Sequence, residues 1–154
     1  VAEFANEGKR TFKKDLFKIA TNYPNVYVAS VSLGANMMHT LNVFKEAEEH
    51  NGPAIIIAYS SCIEHGIKGG MSNSVSAQKL SVECGYVLLM RYFDSKLYLD
   101  SKKPNFDKYD EFLSNETRYN ALKIKDKELA DELLEENKNN AIARFNYYKE
   151  FANK

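Results

Sequence analysis

The sequence predicts an α/β fold, a partial doubly wound and mainly parallel sheet with a helical C-terminal extension. Two observations predict it. Between residues 26 and 93, β-rich apolar segments alternate with helical segments, which is typical of strands joined by right-handed crossovers. After about residue 100 the strand pattern gives way to a helical one. The chain has 154 residues, 44% of them hydrophobic, which is enough for the core of one domain.

The first predicted element is a helix through "FKKDLFKIATNY", with Thr11 as its N-cap. Phe12, Leu16 and Ile19 (or Ala20) recur at helical spacing, so this face is expected to be buried. The Pro-Asn pair at residues 24–25 ends the helix.

The next predicted elements are the strand "VYVASVSL", ended by Gly34, and a helix through "MMHTLNVFKEAEEH", capped by Asn36. The apolar residues of its first turns are expected to point inward, and these are Met37, Leu41 and Phe44. "AIIIAY" is then apolar on both faces, as expected of a parallel strand covered on two sides.

A helix near "VSAQKLSVECG" and a third parallel strand, "YVLLMRYF", complete the predicted sheet. Three strands leave both outer edges open, so we expect further strands from sequence outside this chain. The start at Val1, without an initiator Met, gives the same expectation of a piece of a longer polypeptide.

The segment "SKLYLDSKKPNFDKYDEFLSNETRY" is predicted to be a connecting arm with one or two short helices, followed by a long helix to the C-terminus. The long helix is indicated by an apolar stripe of Leu129, Leu133, Leu134, Ala141, Phe145, Tyr148 and Ala152.

Composition excludes several functional classes. The formal net charge is zero, so no global field favours nucleic acid or a membrane surface. The longest apolar run is far shorter than the roughly 20 residues that span a bilayer. Two cysteines do not form a disulfide framework, which favours a reducing, intracellular setting.

Ligands of open α/β sheets bind beyond the carboxyl ends of the strands, and three loops are expected there: "SLGANM", "SSCIEHGIKGGMS" and "FDSKLY". The second loop contains Cys62, His65 and three glycines. The residues alone leave several interpretations open: a semi-buried structural thiol, a metal ligand pair, or a cysteine nucleophile with a histidine base. Gly66, Gly69 and Gly70 could cradle an anion or pack beneath another domain.

Longer stretches resemble one family. "VAEFANEGKRTFKKDL", "GPAIIIAYSSCIEHGI", "QKLSVECGYVLLMRY" and "LDSKKP…EFLSNETRY" resemble, in this order, the C-terminal part of the pyruvate:ferredoxin (flavodoxin) oxidoreductases. The resemblance covers essentially the whole chain. It implies that residues 1–100 are the C-terminal portion of a thiamine diphosphate-binding α/β domain, and that residues 101–154 are an arm and helix packed on it.

The resemblance also implies a function for the parent polypeptide. The family decarboxylates pyruvate oxidatively with thiamine diphosphate and Mg²⁺, makes acetyl-coenzyme A, and passes electrons through 4Fe-4S clusters. Cys62 matches the remote fourth ligand of the cluster nearest the thiamine. Gly34 and Asn36 are candidates on the thiamine side. Cys84 is expected to be a core residue without a ligand role.

The implied partners are the remainder of the parent polypeptide, pyruvate, coenzyme A, and ferredoxin, flavodoxin or a fused NADP reductase as electron acceptor. The parent is expected to be a cytoplasmic homodimer, or to lie in an organelle of an anaerobic protist, with neither nucleic acid nor membrane as partner.

The sequence departs from the family at several points. The GDG motif, the Mg²⁺ ligands and the other three cluster cysteines are absent from this chain, so the piece alone is expected to be inactive and to hold no cofactor. Val87-Leu88 replaces the usual Trp-Pro after "ECGY". The alternatives are a non-catalytic α/β interaction module and, less well matched by the Cys62 loop, a transketolase-like thiamine enzyme without clusters.

Overall fold

The structure is a computed structural model that describes residues 13–153. Its strands are β1 (Tyr27–Val31), β2 (Ala54–Ala58), β3 (Met90–Phe93) and β4 (Lys96–Leu99). Its α-helices are α1 (Leu16–Ala20), α2 (Met37–Glu49), α3 (Ser74–Glu83), α4 (Tyr109–Asn115), α5 (Thr117–Lys125) and α6 (Lys127–Ala152). Single 3₁₀ turns, Met71–Asn73 and Phe106–Lys108, precede α3 and α4. The α/β class and the helical C-terminal extension are thereby confirmed.

The four strands form one mixed sheet in the order β2-β1-β3-β4. Strands β1 and β2 pair in parallel, as predicted. The third strand was expected to be parallel, but β3 runs antiparallel to β1, with Met90 opposite Ser30. The physical reason is that the chain enters β3 at the carboxyl end of β1 and therefore runs back along it.

Strand β4 lies within the segment predicted to be a connecting arm. It forms a hairpin with β3, and the two residues between them, Asp94 and Ser95, have φ angles of 50° and 61°. Positive φ at both central residues is typical of a type I′ turn, which matches the twist of paired strands. Neither residue is a glycine, which explains why the turn was missed.

Helix α1 begins later than predicted, at Leu16, with Asp15 as its N-cap accepting a hydrogen bond from the Lys18 amide. The predicted cap Thr11 and the predicted core residue Phe12 lie outside the described residues. The predicted buried face is wrong at Leu16 and Ile19, which are about half exposed. The alternative to Ile19, Ala20, is buried, as is Phe17.

Helix α2 begins as predicted, because the Asn36 side chain accepts a hydrogen bond from the His39 amide at 2.9 Å. Its inward face is again different from the prediction. The buried residues are Thr40 and Val43. The three residues expected inside are well exposed, and they are Met37, Leu41 and Phe44. A shift of one residue around a helix turns the face by about 100°, so a short apolar pattern does not fix which side meets the sheet.

Strand β2 is at the edge of the sheet rather than covered on both sides. Its five residues are exposed or half-buried, and Ile55 is 39% exposed. Among the described residues no strand pairs with its outer edge. The expected covering of this strand is thus wrong for the part of the chain that the structure describes.

The main core lies between the sheet and helices α1 and α6. Phe145 and Tyr148 of α6 pack with Phe17 and Leu88, and the Tyr148 hydroxyl donates to Asp15 at 2.6 Å. The predicted apolar stripe of α6 is confirmed at three of its residues, Ala141, Phe145 and Tyr148, which are buried. None of the helices within residues 13–153 combines the length and the apolar content needed to cross a bilayer.

Candidate functional site

The carboxyl ends of β1 and β2 meet at one edge of the sheet, because the two strands are parallel. The loop with Gly34 and Asn36 follows β1, and the loop with Cys62 follows β2. These two predicted site loops therefore share an edge. The third, "FDSKLY", does not: it contains the β3–β4 turn and lies at the opposite edge, because β3 is antiparallel.

Cys62 is half-buried in a tight turn just beyond β2. The pairing of β2 with β1 continues one residue past the strand, where the Tyr59 amide donates to the Val31 carbonyl at 2.9 Å. The Gly66 amide then donates to the Cys62 carbonyl at 2.9 Å, which closes one helix-like turn. Within it, His65 Nδ1 lies 3.0 Å from Cys62 Sγ.

The far end of this turn is fixed to the junction between α4 and α5. The Lys68 amide donates to the Asn115 carbonyl at 2.8 Å, and the Thr117 amide approaches the Gly66 carbonyl at 3.4 Å. Cys62 is therefore held between the end of β2 on one side and the α4–α5 junction on the other. Such double attachment limits how far its sulfur can move.

A buried carboxylate lies beneath the turn. Glu116 is 1% exposed and accepts a hydrogen bond from the Tyr59 hydroxyl at 3.2 Å. Burial and the neighbouring Glu116 raise the pKa of Tyr59, so this phenol stays protonated. Arg118 balances the charge, with Nε 3.3 Å from Glu116 Oε2. No local pattern in the sequence indicates this contact, since Glu116 and Tyr59 are 57 residues apart.

The glycines of the loop serve its backbone conformation. Gly66, Gly69 and Gly70 all have positive φ angles, between 69° and 88°. The Gly66 and Gly70 amides donate to carbonyls within the loop itself. These two amides are thus occupied, which removes much of the support for an anion cradle.

Gly34 and Asn36 have local structural roles. The Gly34 amide donates to the Gln78 side chain at 3.0 Å, and a Cβ at this glycine would lie 3.1 Å from the Val75 backbone of α3. Asn36 caps α2. Both residues lie at the predicted edge, and their role toward thiamine stays a prediction.

Cys84 is buried, as expected of a core residue, with 0% exposure. Burial raises the pKa of its thiol to about 11. Within residues 13–153, no group of three or more His, Cys, Asp or Glu side chains could hold a metal ion. Of the two cysteines in residues 13–153, Cys84 is thus buried in the core and Cys62 is half-buried at the carboxyl edge of the parallel strands.

A groove of about 920 Å³ lies between α1, α4 and α6. Its lining includes Tyr59 and Tyr86 but not Cys62. The groove is separate from the cysteine turn, although Tyr59 borders both.

These features define an α/β protein that presents one half-exposed cysteine, with a histidine at its sulfur, at the carboxyl edge of the strands. Sequence comparison gives the family. The chain is 42% identical over 99% of its length to a pyruvate-flavodoxin oxidoreductase of Klebsiella pneumoniae. It is 41% identical over 99% to a pyruvate:ferredoxin oxidoreductase of Moorella thermoacetica, and 41% identical over 97% to a mitochondrial NADP⁺-dependent pyruvate dehydrogenase of Euglena gracilis.

The resemblance stated from the sequence is thus confirmed: the chain is homologous, over nearly its whole length, to a segment of the pyruvate:ferredoxin and pyruvate-flavodoxin oxidoreductases. It spans only 8 to 14% of the length of these three relatives. No family model matches the chain.

Proposed function

We propose that this chain is a segment of a pyruvate oxidoreductase whose parent polypeptide decarboxylates pyruvate oxidatively to acetyl-coenzyme A with thiamine diphosphate and Mg²⁺. The observation that carries the proposal is the identity of 41 to 42% over 97 to 99% of the chain with oxidoreductases named for pyruvate. Their names include flavodoxin, ferredoxin and NADP⁺, so the electron acceptor of the parent is one of these three.

Within the parent, Cys62 is one thiolate ligand of a 4Fe-4S cluster whose other three ligands lie in other sequence. A 4Fe-4S cluster takes up and passes on single electrons and is held by four thiolates. The structure supports the assignment of Cys62 in two ways. Cys62 is half-buried at the edge where ligands of α/β sheets bind, and its loop is attached at both ends.

The segment alone is inactive and holds no cluster. One thiolate does not replace four, because cluster affinity comes from the complete ligand set. Gly34 and Asn36 lie on the thiamine side of the same edge. The Asn36 side chain already caps α2, so the backbone of this loop, and not that side chain, faces the cofactor.

The parent works as a homodimer together with the remainder of its polypeptide, in the cytoplasm or in an organelle of an anaerobic protist. The α2 and β2 surfaces exposed here are covered in it.

The experiment compares Cys62→Ala with Cys84→Ala in the full-length parent. We expect Cys62→Ala to reduce the iron content, to change the electron paramagnetic resonance signal of one cluster and to slow electron transfer from the thiamine adduct. Cys84→Ala keeps all clusters, because that thiol is in the core. A full set of unchanged clusters in the Cys62 variant refutes the assignment.

A second measurement concerns the 154-residue chain itself. After incubation with iron and sulfide under reducing conditions, we expect no stable 4Fe-4S absorbance. One stable cluster per chain contradicts the proposal that its ligands are shared with other sequence.

A further inference from the structure

His65 is brought to the sulfur of Cys62 by the backbone of the turn. The hydrogen bond from the Gly66 amide to the Cys62 carbonyl gives the segment one helical turn, in which side chains three residues apart are neighbours. Gly66, with φ of +69°, then ends the turn. The result is a distance of 3.0 Å between His65 Nδ1 and Cys62 Sγ.

The direction of this hydrogen bond follows from the chemistry of a cluster ligand. A cysteine bound to iron is a thiolate and carries no proton. The proton between the two atoms must then be on Nδ1, so the imidazole donates and the sulfur accepts. A neutral imidazole with its proton on Nδ1 is sufficient, and the ring does not need to change its charge.

We infer that His65 is a positioning residue that donates an N–H···S hydrogen bond from Nδ1 to the cluster-ligating sulfur of Cys62 and thereby raises the reduction potential of that cluster. The inference rests on the proposed function, because it requires Cys62 to bind iron. Hydrogen bonds to cluster sulfurs are one of the means by which proteins set cluster potentials. The donor favours the reduced cluster because this state carries more negative charge on its sulfurs.

The test uses the full-length parent with His65→Leu and His65→Asn. Leu keeps similar bulk and removes the donor, whereas the Asn side-chain amide can place an N–H near the position of Nδ1. Ile63→Ala is the control, since Ile63 is in the same turn but 77% exposed. The readout is the midpoint potential of the cluster, followed by electron paramagnetic resonance in a redox titration.

We expect His65→Leu to lower the equilibrium constant for reduction of this one cluster by up to about tenfold, which is about 59 mV for a one-electron couple. We expect His65→Asn to restore most of the difference and Ile63→Ala to change nothing. A potential in His65→Leu equal to that of the unmodified enzyme overturns the inference, and so does an equal shift in Ile63→Ala.

Failure of the inference is distinct from failure of the proposed function. If Cys62→Ala leaves all clusters intact, Cys62 is not a ligand and the proposed function fails. If Cys62→Ala alters the cluster but His65→Leu leaves its potential unchanged, only the present inference fails.

A second measurement applies if His65→Leu does not assemble the cluster. The unmodified enzyme is labelled with ¹⁵N-histidine, and pulsed electron paramagnetic resonance of the reduced cluster is recorded. A ¹⁵N coupling that disappears in His65→Asn supports the hydrogen bond. No ¹⁵N coupling in the labelled enzyme overturns it.

Discussion

Replacing Arg91 tests the ionic network that joins α2 to the β3–β4 hairpin. Arg91 donates two hydrogen bonds to Asp100, each 2.8 Å, and one to Glu46 at 2.7 Å. Glu46 also accepts from the Tyr27 hydroxyl at 2.8 Å, and Asp100 lies 2.9 Å from His39 Nε2. In Arg91→Met an unbranched apolar stem is retained, but both carboxylates lose their guanidinium partner.

The expected cost follows from burial. Removing one partner of a fully buried ion pair costs about 3–5 kcal/mol. Here the side chains of Arg91, Asp100 and Glu46 are 22%, 20% and 34% exposed, so water partly screens the charges left behind. We therefore expect the free energy of unfolding to fall by about 2–3 kcal/mol. The control is Lys108→Met, whose ion pair with Glu83 is 44% and 40% exposed and is therefore expected to contribute little to stability.

The assay is urea unfolding of the chain, followed by circular dichroism at several pH values. Burial alone would raise the pKa of Asp100, but the hydrogen bonds from Arg91 and His39 outweigh it and lower the pKa. A lowered pKa in the folded state gives stability that is present above the ordinary Asp pKa of about 3.9 and is lost as the pH falls below it. Arg91→Met should therefore be less sensitive to acid than the unmodified chain.

Two results would refute this reasoning. One is an unfolding free energy of Arg91→Met within about 0.5 kcal/mol of the unmodified chain at neutral pH, the range of ordinary surface substitutions. The other is a Lys108→Met cost as large as that of Arg91→Met, because burial would then not determine the difference.

Three further predictions concern the thiols, the glycines and the core. A chromogenic thiol reagent at about pH 8 should label Cys62 and leave Cys84 unmodified until the chain unfolds. The reason is that burial raises the pKa of Cys84 to about 11 and makes its side chain inaccessible. Rapid labelling of both cysteines would contradict the fold. Gly85→Ala should lower the free energy of unfolding by at least about 2 kcal/mol, because its φ is +80° and a Cβ would lie 2.9 Å from a ring carbon. Gly70→Ala, with similar φ but open space, should cost only about 1 kcal/mol, and thermal unfolding compares the two. Val43→Ala should cost about 1–3 kcal/mol in urea unfolding, because Val43 is 0% exposed, and no loss would place the buried face of α2 elsewhere.

Local signals in the sequence predicted where elements lie, and distant contacts decided how they are arranged. The Asn36 cap depends on an amide three residues away, and it was found. The buried face of α2 depends on which strand the helix meets, and its prediction failed. The hydrogen bond from His39 to Asp100 spans 61 residues, so no local pattern indicates it.

The strand directions show the same limit. The parallel β1–β2 pair was predicted from a helical segment of a dozen residues or more between two apolar strands. The observed helix α2 has 13 residues, which is long enough for such a crossover. The path from α3 to β3 gave no such signal, because the six residues at 84–89 are apolar or small, and all six are buried. Such a run is compatible with either strand direction.

The position of Cys62 depends on more than the strand that precedes it. The strand was predicted to be covered on both sides, yet β2 is at an exposed edge and cannot by itself fix the loop that follows it. The structure attaches the loop instead through Tyr59, whose hydroxyl reaches Glu116, and through Lys68, whose amide reaches Asn115. Both partners belong to the segment around "SNETRY", which is more than 40 residues further along the chain. These two contacts fix the backbone before and after the turn that contains Cys62, while Cys62 itself stays half-buried, as its proposed role as a ligand shared with another segment requires.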